Sequence, residues 1–122
     1  MHRERFRELV AEALDEIPEP FREHLESVEV VVEDDPSDEV LRDMGLDPQR
    51  DTIYGLYEGT PLSERSVDDS LRLPDRITIY RRPLVHEFRT PVAIRREIRK
   101  TVVHELGHVF GLEDDDIEAE GY

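Results

Sequence analysis

Thr101-Val102-Val103-His104-Glu105-Leu106-Gly107-His108-Val109-Phe110-Gly111-Leu112-Glu113-Asp114 is the stretch on which the reading of this chain turns. Val102, Val103, Leu106, Val109 and Phe110 fall at helical spacing, so the stretch predicts a buried helix. On a helix with about 3.6 residues per turn, positions four apart lie one above the other. His104 and His108 therefore share a face and can offer imidazole nitrogens to one metal ion. Glu105 sits one position round, ill placed as a ligand and well placed to hold a water beside the metal. A helix buried by its flanks does not carry such groups inward without a partner for them.

A third ligand is needed. Gly111 accepts the left-handed backbone that ends a helix, so the chain can turn back there. Asp114 follows three residues later and can reach the metal from below. Glu113 or Asp115 takes its place if the turn differs. Two neutral His and one carboxylate leave a position open for water, as a catalytic zinc site requires. A structural site is normally closed by four protein ligands, and the chain has no Cys to build one. With Glu105 as general base, the expected chemistry is zinc-dependent peptide hydrolysis.

Reading outward, Thr90 is placed to cap this helix, with Pro91 at its first position. Ile94, Ile98, Thr101, Val102 and Val109 give it a buried stripe. Arg95, Arg96, Arg99 and Lys100 form a basic cluster, read plainly as partners for nearby acids and, alternatively, as contacts to a peptide carboxylate. Strands are predicted over 27–33, 52–58 and 76–81 from their β-branched and aromatic content. Gly55 within the second would weaken a central strand and marks a close backbone approach. Phe6, Leu9, Val10, Ala13, Leu14 and Ile17 predict an amphipathic first helix, and Pro20 to Leu25 a short second one. Ser37 or Asp38 caps a third ending near Met44, and 84–88 predicts a helical turn. Asp34, Asp35 and Asp38 lack the spacing of a calcium loop and read as a solvated acidic turn. His24 reads as a surface residue and His86 as a spare one. Residues 60–75 read as a loop.

Pro18-Glu19-Pro20-Phe21, Tyr54-Gly55-Leu56-Tyr57-Glu58-Gly59, Ile77-Thr78-Ile79-Tyr80-Arg81-Arg82-Pro83-Leu84 and the final H-E-x-x-H-x-x-G-x-x-D motif together span nearly the whole chain. In these segments the sequence resembles the zincin-like minimal metallopeptidases, small bacterial proteins related to the metzincins. The resemblance implies zinc at His104, His108 and Asp114, with Glu105 as base. It also implies that residues 52–58 form an edge strand above the metal, able to pair with an extended substrate; the alternative is an ordinary strand with two half-buried Tyr. The chain departs from the metzincins in offering Asp as third ligand and in lacking a Met after the motif, which argues against strong general proteolysis. The alternative is a zincin fold kept as a metal-binding interaction module, catalytically weak or inactive.

Composition narrows the partners. A length of 122 residues suits one domain, taken as 1–122. With 31 acidic against 16 basic residues the formal charge is −15. So acidic a surface repels phosphate backbones and anionic membranes, so neither nucleic acid nor membrane is an expected partner. A peptide or protein substrate is. The charged start reads as no signal peptide, giving a cytoplasmic expectation, with a monomer favoured. The expected fold is α+β: a three-stranded, mixed, twisted sheet with helices on one side, and the His-bearing helix beneath the sheet's edge.

Overall fold

The computed structural model describes residues 1–59, 75–109, 111, 117–118 and 121. Its elements are α1 (Arg3–Asp15), α2 (Phe21–Leu25), β1 (Val28–Glu33), α3 (Asp38–Asp43), β2 (Gly55–Glu58), β3 (Asp75–Tyr80), α4 (Arg81–Glu87) and α5 (Pro91–Val109). The sheet order is β1-β3-β2. β1 runs parallel to β3, and β2 antiparallel to it. The sheet is thus mixed and three-stranded, as expected, and β2 is an edge strand. No described helix is long and apolar enough to cross a membrane.

Alternation explains which face is covered. Ile77 and Ile79 of β3 are fully buried, and Val30 and Val32 stand beside them in register on β1. This face meets Phe6, Leu9 and Ala13 of α1, Phe21 of α2, Leu84 of α4 and Ile94, Ile98, Val102 and Leu106 of α5 in one core cluster. Leu41 of α3 is buried outside that cluster. Thr78 and Tyr80, on the opposite face by alternation, are also buried.

α5 starts where the sequence places it. The Thr90 hydroxyl accepts the Ala93 N–H at 3.1 Å, a cap of about 1 kcal/mol. α4 begins directly at the end of β3, earlier than the expected turn at 84–88. Its Pro83 lies in the first turn, where no helical N–H is needed. β2 is shorter than expected, starting at Gly55, although the Tyr54 carbonyl still accepts the Tyr80 N–H at 2.9 Å.

The acidic turn after β1, with Asp35 and Asp38 exposed as expected, is also tied down by arginine. Arg3 and Arg81 both donate to Asp34, the latter through Nε at 2.9 Å, and Arg82 pairs with Asp35 at 2.9 Å. Arg81 also donates to the Met1 carbonyl at 3.0 Å. The node joins the starts of α1 and α4 to the end of β1. Asp38 lies instead on α3, facing Arg42 at 4.0 Å.

Two expectations follow. A Cβ at Gly55 would lie 2.6 Å from Thr101 Cγ2 and 3.1 Å from the Thr78 carbonyl. Thr101 cannot swing away, because its hydroxyl donates to the Glu97 carbonyl at 2.8 Å. Gly55→Ala should therefore cost about 1–3 kcal/mol in urea denaturation. Adding Thr101→Ser, which deletes the opposing methyl, should recover part of that loss. The second concerns acid. Hydrogen bonds from Arg3 and Arg81 hold the Asp34 carboxyl below its ordinary 3.8. The unfolded chain then takes up this proton first as pH falls. The contribution is present above 3.8 and lost as pH drops through the lowered folded value. Asp34→Asn should flatten that acid limb, and an unchanged limb would show that the node contributes no proton linkage.

Candidate active site

α5 carries its side chains on slanted ridges of positions four apart. Ile94, Ile98, Val102 and Leu106 form the ridge buried in the core. Arg95 and Arg99 form the ridge toward α1, where Arg95 meets Glu16 at 3.1 Å and Glu12 at 3.6 Å, and Arg99 meets Glu16 at 2.8 Å. Glu97, Thr101 and Glu105 form a third, and Thr101 and Glu105 of it lie against β2. Arg96, Lys100, His104 and His108 form the fourth. On it Arg96 and His108 are exposed, and Lys100 and His104 half-buried.

His104 and His108 thus stand one turn apart, with ring centroids 6.4 Å apart and planes 82° to each other. Two imidazoles on one tetrahedral zinc, bonded at about 2.0–2.1 Å, have centroids about 5 Å apart. The pair is within about an ångström or two of that spacing, a gap that side-chain rotation closes. The donor set therefore fits a zinc ion as far as it is described. Among the described residues no group of three or more His, Cys, Asp or Glu gathers around one point. Asp114, with its alternatives Glu113 and Asp115, lies outside the described residues. The turn that precedes it is described: Gly111 has φ +79° and donates its N–H to the His108 carbonyl at 3.0 Å. Ile117, beyond that turn, is back in the core at 1% exposure.

Glu105 is half-buried, and its Oε2 accepts the Tyr57 N–H at 3.3 Å. Ladder geometry explains why this amide is on offer. Tyr54 and Tyr80 are a hydrogen-bonded pair, so residues 54, 56 and 58 face β3. Gly55 and Tyr57 must then turn their N–H and C=O groups to the outer edge. That edge faces Glu105. The close backbone approach read at Gly55 is this contact of β2 with α5.

A cleft of about 360 Å³ opens beside it, with Glu105, His104 and Thr101 on one wall and Gly55 and Tyr54 on the other. Met44 and Ile53 also line it. Tyr54 packs edge-on to Phe88, centroids 5.6 Å apart. Burial pushes its phenol pKa up, with Glu87 and Glu97 adding to the effect, so it stays protonated and can donate. Met44 is not legible as a site residue, because no spacing links it to the final motif, whereas Ile53 and Tyr54 belong to the 52–58 stretch that the resemblance puts above the metal. His86 is exposed and lines a separate cavity with Arg89 and Thr52, and His24 is exposed on α2. Neither lines this cleft.

A family model described as zincin-like metallopeptidase matches residues 25–122, most of the chain. Comparison with curated proteins gives no match.

The Tyr57–Glu105 bond yields its own test. Removing the acceptor in Glu105→Ala should speed hydrogen exchange at the Tyr57 amide by about tenfold, the value of a hydrogen bond near 1.4 kcal/mol. Glu105→Gln keeps an accepting oxygen and should keep the protection. Equal exchange in all three proteins would mean that β2 is held to α5 by packing alone.

Proposed function

The chain belongs to the zincin-like metallopeptidase family, and on that premise we propose that it is a zinc-dependent peptidase with Glu105 as general base. Membership implies zinc as the metal and peptides as the substrate class. The observation that carries the proposal is the Glu105 carboxylate, placed between the His104/His108 ridge and the outer edge of β2.

His104 and His108 would hold the ion, with Asp114 or a neighbouring acid as third ligand. When bound, zinc lowers the pKa of water toward about 7 and polarises a carbonyl. Each remaining task falls to the protein. The outer edge of β2 offers the Gly55 N–H and the Gly55 and Tyr57 carbonyls to an extended peptide, which adds as a further strand. The Tyr57 N–H orients the Glu105 carboxylate. Glu105 takes the proton of the attacking water and returns it to the leaving amine, a role worth typically 10²–10⁴-fold. The cleft of Met44, Ile53 and Tyr54 receives part of the bound chain.

Digestion of a peptide mixture by the zinc-loaded protein tests this. Cleavage should stop with a chelator and return with zinc. Glu105→Gln should lose at least about a hundredfold in rate while keeping bound zinc, and His104→Ala should lose the zinc itself. Cleavage by the Glu105→Gln protein at the unaltered rate rules out the mechanism. Zinc bound with no cleavage by either protein leaves the metal-binding interaction module.

A further inference from the structure

The basic cluster of α5 divides in two. Arg95 and Arg99 are spent on Glu12 and Glu16 of α1. Arg96 and Lys100 are not on that side. They continue the ridge of His104 and His108 toward the start of the helix. Lys100 meets only Glu97 among the described acids, at 3.6 Å, and no described carboxylate lies within ion-pair distance of Arg96. A second cleft, of about 680 Å³, opens beside this ridge and reaches His104. Arg96, Arg99 and Lys100 line it against Glu97 and Glu118. Among the described lining residues cations outnumber acids, in a chain where acids outnumber bases about two to one. Glu97, Lys100 and His104 line both clefts, so the two meet at the candidate site.

The direction of the bound peptide follows from the packing of β2 on α5. Gly55 touches Thr101, and Tyr57 touches Glu105. Two strand residues cover about 6.8 Å, and four helical residues about 6.0 Å. The strand and the helix therefore run side by side in the same sense. A peptide added antiparallel to β2, the slightly more stable pairing, also runs antiparallel to α5. Beyond a bond held at Glu105, its C-terminal residues pass Thr101, then Lys100, then Arg96. Lys100 lies about 7.5 Å before Glu105 along the helix, and Arg96 about 13.5 Å. Those are the lengths of about two and four extended residues. Reversed, the peptide would bring its amino end to the same cations and be repelled.

We propose that Lys100 and Arg96 select peptides carrying a carboxylate two to four residues beyond the scissile bond, either the free C-terminus or an Asp or Glu side chain. This inference rests on the peptidase reading above. A carboxylate there gains charge-assisted hydrogen bonds from a point-charge ammonium and a planar guanidinium.

The test uses the zinc-loaded full chain and matched peptides. One pair differs in a free or amidated C-terminus three residues beyond the cleaved bond. A second pair, longer and amidated, carries Glu or Gln at that place. The acidic member of either pair should show kcat/KM about tenfold higher, mainly through KM. In the double variant Arg96→Gln, Lys100→Gln that ratio should fall toward one. A preference in the first pair alone assigns the free C-terminus, and one in the second pair alone the side chain. Equal rates within both pairs, or a preference that survives the double variant, overturn the inference while leaving the peptidase reading intact. If the wild type cleaves nothing, the peptidase reading fails, and calorimetric binding of the same peptides to Glu105→Gln decides the remaining part of the inference, that Arg96 and Lys100 hold a peptide carboxylate. Tighter binding of the acidic peptides, lost in the Glu105→Gln protein that also carries the double variant, supports it. Equal affinities overturn it.

Discussion

The flush contact of β2 on α5 is the constraint that the candidate site depends on. A strand can lie this close to a helix only where a side chain is missing, and Gly55 supplies the gap that the Thr101 methyl fills. Thr101 is doubly fixed, by its β-branch and by its hydroxyl on the Glu97 carbonyl. The next outward-facing residue of the strand, Tyr57, is thereby brought to Glu105. One residue of strand register would turn Leu56 toward the helix and Tyr57 away from Glu105. A carboxylate beside a row of outward backbone amides is what an arriving peptide strand needs in order to be both aligned and attacked. Packing, not a motif, creates that adjacency.

α5 meets four surroundings at once, and the spacing of four keeps them apart. Its apolar ridge, with Phe6, Leu9 and Ala13 of α1, supplies most of the holding energy. The Arg95 and Arg99 pairs on Glu12 and Glu16 are partly exposed and worth about 0–1 kcal/mol each. Their value lies elsewhere. Without them Glu12 and Glu16 would stand as like charges one turn apart beside the helix junction. They also leave Arg96 and Lys100, on a different ridge, available to the cleft.

The sequence makes legible what periodicity and local chemistry report. The Thr90 cap, the positive φ of Gly111 and the three strands all follow from residues within one element or turn. Contacts across the fold are different. Asp34 reads as a solvated acid until Arg3 and Arg81 arrive from the starts of α1 and α4. Met44 sits at a turn and reaches the cleft only because the sheet's edge is there. Ile117, a lone apolar residue among acids, offers no window in which a period could appear, yet it is buried in the core. Hydrophobic spacing tells which face of an element is covered, and says nothing of what covers it.

Charge acts on two scales in this molecule. At −15 the whole chain repels polyanions at a distance. That field fades within a Debye length of about 8 Å at physiological salt. Inside a cleft, the charges within a few ångströms decide what stays bound. There Arg96 and Lys100 would meet a carboxylate at contact distance, well inside the range over which salt screens. A peptide with one carboxylate therefore pays a small screened repulsion on approach and regains more on docking. A long acidic chain meets the repulsion many times over for the same local gain. On the proposed reading, short peptides, or longer ones with a single acid near the cleaved bond, are the substrates that this distribution of charge favours.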